Sequence, residues 1–182
     1  MQKNLGLVLL LILWASPTAI HAQPASVDSC KKFVQNFYDW YEIYGKDYGS
    51  AHLFRPHSFS AALALQLKED SKAQSKAKGY IVGLDWDPFF ATNGGEDTDR
   101  YFVTRAQVWQ GHCFAGVHLV PAEDVKGDIV TAELQMVKGQ WQFVNFHYPA
   151  HDGVAEDDLL TILNNLREDR RKQTKNNTPS KP

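Results

Sequence analysis

The chain is poor in cysteine and methionine, and it has no hydrophobic run long enough to cross a membrane. Its two cysteines among 182 residues make no Cys-x-x-Cys pair, which argues against a dithiol redox site. A zinc site through the same thiols would need nearby imidazoles in addition. The apolar run Leu5 to Trp14 covers ten residues, broken only by Gly6, whereas a spanning helix needs ~20. Excess charge of one sign is missing too. With 19 Lys+Arg against 21 Asp+Glu and a net charge of −2, neither a polybasic nucleic-acid binder nor an acidic disordered chain is indicated. The sequence carries no nucleophile motif, phosphate-binding glycine loop, cofactor fingerprint or internal repeat. No cofactor is therefore expected, and an enzyme is the less favoured reading. The composition that remains, 43% hydrophobic and 22% charged, is that of one globular domain.

The first residues read as an address. Lys3 gives a short positive start, the run Leu5 to Trp14 follows, and Ser16 to Ala22 is small and turn-prone. That order predicts a signal peptide over residues 1–22, cut after Ala22. Cys30 lies eight residues beyond the cut, too far for a lipoprotein signal, so the expectation is a secreted, unanchored protein. Beyond residue 22 the chain holds 18 basic and 21 acidic residues and 21 aromatics, a generous supply for one core. Export also gives the cysteines a meaning: Cys30 and Cys113 are expected to form a disulfide in an oxidising compartment. Closing a loop of 84 residues, both ends counted, would stabilise the fold by ~4 kcal/mol in the chain-entropy view.

Asp28 suits the cap of a helix with Phe33, Phe37, Trp40, Tyr41 and Tyr44 on one face and Gly45 as its stop. A loop is predicted over Gly45 to Pro56, then a second helix from Ser58 with Phe59, Ala62, Leu63 and Leu67 as its stripe. The period then changes to that of strands over Tyr101 to Trp109, His112 to Val120, Asp128 to Val137 and Gln140 to Tyr148. Gln110-Gly111 and Lys138-Gly139 suit tight hairpin turns. A last helix is capped at Asp152, has Glu156, Asp157 and Asp158 at its positive end and bears Leu159, Ile162, Leu163 and Leu166. The tail 167–182 has no apolar residue and is expected to be a disordered extension of a single domain spanning 23–166. Helices before a meander of strands predict an α+β fold in which helices cover one face of a curved antiparallel sheet of about four strands, closing partly into a cone.

Phe37-Tyr38-Asp39-Trp40-Tyr41, Leu84-Asp85-Trp86-Asp87-Pro88-Phe89 and Gly139 to Phe146 (Gly-Gln-Trp-Gln-Phe-Val-Asn-Phe) resemble a family of small bacterial envelope proteins. It is the domain of unknown function found in the YbjP and YqhG proteins, similar in fold to nuclear transport factor two and the cystatins. The resemblance spans most of residues 30–166 and implies a Gram-negative periplasmic setting and a cone-like α+β fold. It carries no catalytic residues onto this chain.

Several clusters invite chemistry. Asp85, Asp87, Glu96, Asp97 and Asp99 form an acidic stretch without Lys or Arg. With Asp85 first, an EF-hand loop would need Gly at its sixth position, where Phe90 stands. An irregular calcium site is the minor alternative to a loop whose acids cap turns while Trp86, Phe89 and Phe90 plug the core. His147 and His151 are separated across Pro149, and His112 and His118 lie six apart on one strand, so hydrogen bonding is favoured over zinc. A cone would be lined by Trp40, Tyr44, Tyr101, Trp109, Trp141 and Tyr148, an aromatic wall suited to a small ligand or a glycan. Were it reused by an enzyme, Asp39 with His118 or His147 would supply acid and base. Arg167, Arg170, Arg171, Lys172, Lys175 and Lys181 in the tail suit contact with an anionic surface, though solvation is preferred. The leading expectation is a non-enzymatic periplasmic binding or accessory protein, acting on an envelope protein or small ligand. A small hydrolase or isomerase is the alternative.

Overall fold

The computed structural model describes residues 26–44, 47–92, 100–120, 127–150 and 155–176. Helix α1 spans Val27–Tyr44. Its start is set by Ser26 rather than Asp28: the Ser29 amide donates to Ser26 Oγ and the Ser26 amide to Ser29 Oγ, each at 3.1 Å. Helix α2, Tyr48–Phe54, occupies the expected loop and is capped by Asp47, whose carboxylate accepts the Gly49 amide. Gly49 has no room for a side chain, since a Cβ there would lie 2.1 Å from Ser71 Oγ. Helix α3, Ala61–Lys76, begins behind Ser60, which accepts the Leu63 amide.

Four strands follow close to the expected ranges: β1 Arg100–Trp109, β2 His112–Val120, β3 Val130–Val137 and β4 Gln140–Tyr148. Gln110 and Gly111, like Lys138 and Gly139, all have positive φ between 49° and 81°, as two-residue hairpin turns of the mirror type require. A fifth strand, β5 Asp157–Asp158, adds to β4 where a helix start was expected. The sheet is antiparallel in the order β1-β2-β3-β4-β5. Register shifts after Val103 in β1 and between Glu133 and Leu134 opposite β4 are bulges, which bend and twist a sheet.

Helix α4 spans Leu159–Asn176. Its cap is Asp158, which accepts both the amide and the hydroxyl of Thr161; Asp152 lies outside the described residues. The boundary expected at residue 166 is overturned, because α4 continues through ten further residues. Arg170 explains why: its Nη1 reaches Asp70 Oδ1 at 2.6 Å and the Val82 carbonyl at 2.7 Å, and Arg167 pairs with Glu69 at 2.7 Å. A segment with no apolar residue is held by ion pairs instead. Lys175's side chain and Lys181 lie outside the described residues.

The described helices gather on one face of the sheet, which gives the α+β architecture. Between them Phe37, Tyr38, Tyr41, Phe59, Phe89, Phe143 and Phe146 are buried and meet at ring distances of about 5 to 6 Å, as in Phe37–Phe143 at 4.8 Å and Phe89–Phe146 at 5.0 Å. The buried sulfurs of Cys30 in α1 and Cys113 in β2 are 2.03 Å apart, so the expected disulfide is formed.

At the outer edge of the sheet, α1 takes the place of a missing strand. The Val103 amide donates to Gln35 Oε1, Gln35 Nε2 donates to the Tyr101 carbonyl, and the Tyr101 amide donates to Glu42. Lys31 donates to the Thr104 carbonyl. Side chains thereby satisfy main-chain groups of β1.

Candidate functional site

The aromatic wall expected around a cone does not assemble. Tyr101, Trp141 and Tyr148 are buried: Tyr101 stacks on Phe90 at 4.1 Å, Trp141 Nε1 donates to Ser29 Oγ, and Tyr148 Oη donates to the Pro88 carbonyl. Trp40 is half-buried beneath the Arg55 guanidinium, 4.6 Å from its ring centre. Tyr44 is 69% exposed at the end of α1, and Trp109 is 61% exposed on the other side of the sheet. The interior is filled by rings.

The acidic stretch behaves as a turn. Asp87 accepts the amides of Phe89 and Phe90 and the Tyr41 hydroxyl, while Phe89 is wholly buried. Burial pushes the Asp87 carboxyl above its ordinary value, against the pull of those donors, and burial beside Asp87 raises the Tyr41 phenol. Asp85 is exposed; Glu96, Asp97 and Asp99 lie outside the described residues, as does His151. Among the described residues no His, Cys, Asp or Glu group has the arrangement of a metal site. The Asp39 pairing fails as well. Asp39 accepts Gln35 Nε2 on α1, in the layer that covers the opposite face of the sheet from His118 and His147. His118 Nδ1 is bonded to the Gly127 carbonyl.

What the strands do bring together lies on the face that no described helix covers. Counting outward from the turns, Trp109 stands opposite His112, which stands opposite Gln135, which stands opposite Gln142. The next row holds Gln107, Phe114, Glu133 and Asn145, and the third Arg105, Gly116, Thr131 and His147 with Asp158 beyond. Because side chains alternate along a strand, all of these point away from the helices.

Glu133 is the centre of this face. Its two oxygens hold one histidine each, His112 Nδ1 at 2.6 Å and His147 Nε2 at 2.8 Å, and its side chain is only 17% exposed. Phe114 lies between the imidazoles, with ring centres 6.4 Å from His112 and 6.1 Å from His147. Trp109 extends the ring surface, 6.5 Å from Phe114. Gly116 leaves a dip in the third row, into which Asp128 folds to accept Thr104 Oγ1 at 2.7 Å and Arg105 Nε at 2.6 Å; a Cβ at Gly116 would collide with that carboxylate. The result is a groove of about 380 Å³ bordered by Arg105, Gln107, Phe114, Thr131, His147 and Glu156. A second groove, about 390 Å³, lies beside Phe33, His57 and Trp141. Of the six aromatics expected to form a pocket, only Trp141 borders either.

Below the rim, Asn145 donates to Asp158 at 2.8 Å and its Oδ1 accepts the Leu160 amide, which fixes the open face to α4. Burial alone would raise the Asp158 carboxyl, but hydrogen bonds from Asn145 and Thr161 outweigh it and leave its pKa below the ordinary 3.8.

No family model, curated protein or solved structure matches the chain.

Proposed function

We propose that the chain is an exported, periplasmic binding or accessory protein of a Gram-negative envelope, non-enzymatic, which meets a protein or a small ligand through the open face of its sheet. The observation that carries this reading is the groove on that face, where Phe114 and Gln107 border open space beside the Glu133–histidine cluster, with Trp109 exposed farther along the same face. The leader-like residues 1–22 and the Cys30–Cys113 bond support export. No described helix is long and apolar enough to cross a membrane. The resemblance to the YbjP and YqhG proteins supplies the periplasmic setting and the likeness to nuclear transport factor two.

A photo-crosslinking residue at Gln107, in the chain expressed at native level, should give discrete adducts that the same residue at Lys72 on α3 does not. Absence of adducts at Gln107, or equal adducts at both positions, would overturn the reading.

One observation favours a second reading, a small hydrolase or isomerase. Glu133 orients His147 at the rim of the groove, as a carboxylate orients an acid-base imidazole. A bound ligand recovered unchanged after long incubation supports the binding protein. Conversion that stops in His147→Gln supports the enzyme.

A further inference from the structure

The binding reading leaves the ligand's chemistry open, and the three rows of side chains narrow it. Trp109 and Phe114 present ring surface on one side of a polar field. Around them stand the amides of Gln107, Gln135 and Gln142, one from each of β1, β3 and β4. These form no hydrogen bond among the described residues. Each amide offers two donors and a two-lone-pair acceptor in one plane, a set that matches adjacent hydroxyls, each itself donor and acceptor. Flat rings suit the C–H face of a sugar, which is apolar although its rim is not.

Charge disfavours acidic ligands of similar size. Arg105 is paired through Nε with Asp128, and His112 and His147 both sit on Glu133, so the described cations around the groove are each offset by a carboxylate. Glu156 at the border adds negative charge. An acidic polymer would be repelled, and a purely apolar segment would leave three amides without partners. From Arg105 to Trp109 the face runs ~13 Å along β1 at the usual rise per residue, room for several sugar rings in a row.

We propose that this face binds a neutral oligosaccharide, with Trp109 and Phe114 stacking on ring faces and Gln107, Gln135 and Gln142 bonding the hydroxyls. The assignment rests on the binding-protein reading and names its ligand class.

The test is side-chain NMR of the exported chain, observing the Trp109 indole N–H and the glutamine amides, during titration with chitotetraose, cellotetraose and an alginate tetramer. The neutral sugars should shift those signals saturably and the uronate should not. Trp109→Ala and Gln135→Ala should each weaken binding by about three- to tenfold, with the thermal midpoint unchanged. The proposal is overturned if no neutral sugar binds at millimolar concentration, if the shifts fall on the helical side, or if the uronate binds as tightly. Protein adducts at Gln107 without sugar binding would discard the glycan and keep the binding protein; the failure of both measurements would discard both.

Discussion

Asp70 is wholly buried in α3, and three donors satisfy its carboxylate oxygens: the Arg170 guanidinium at 2.6 Å, the Leu84 amide at 2.8 Å and the Tyr48 hydroxyl at 3.0 Å. Four parts of the chain meet at one carboxylate. Removing one member leaves the others buried without a partner, which typically costs about 3–5 kcal/mol. Asp70→Ala should therefore lower the denaturant midpoint by that measure, and the double variant with Arg170→Ala should cost less than the sum of the singles. His52 in α2 acts through pH. Burial, with the Lys68 charge second, depresses its pKa below the ordinary 6.5, so the folded state holds it neutral. The associated stability is present above pH 6.5 and is lost as pH falls below it. In His52→Leu, thermal melts between pH 7 and 5 should show a shallower loss than in the parent. Asp158 works in a lower range: its contribution is complete above 3.8 and disappears as pH falls through the depressed value. The penalty of Asp158→Asn, measured by chemical denaturation, should therefore shrink toward pH 3.

Elements differ in how plainly the sequence announces them. The four long strands were legible because alternation and the Gln110-Gly111 and Lys138-Gly139 turns repeat the same message. Helix α2 was not: seven residues give too little period, and Gly49, which reads as a loop residue, is there because α3 passes close by. The end of α4 was hidden for a different reason. Arg167 and Arg170 look like solvated charges until Glu69 and Asp70, a hundred residues away in the case of Asp70, are placed beside them. Deleting residues 167–182 should accordingly destabilise the fold by several kcal/mol, checked by urea titration, where a disordered tail would be removed without effect. Among the caps, Ser60→Ala should cost about 0.5–2 kcal/mol at the start of α3, measured in the same way.

Across the whole molecule, the disulfide was legible from two cysteines and the expectation of export, but the site was not. Glu133 in an alternating strand looks like any outward acid. Only the pairing of β2, β3 and β4, displaced by the bulge opposite Glu133, sets it diagonally between His112 and His147. The aromatic residues misled in the other direction, since ring content does not distinguish a lined cavity from a filled one. Replacing both cysteines with alanine should cost about 2–5 kcal/mol, and a reductant should bring the parent to the midpoint of that variant once the buried bond is reached. The outer edge of the sheet has a further consequence. An uncovered β1 would be a template on which a second copy could add a strand, and at high local concentration such addition leads to fibres rather than to defined complexes. Gln35 and Glu42 occupy those main-chain positions in advance. The sheet can therefore leave a whole face open to its surroundings while refusing self-recruitment along its rim. Gln35→Ala should keep the fold but show concentration-dependent growth in light scattering.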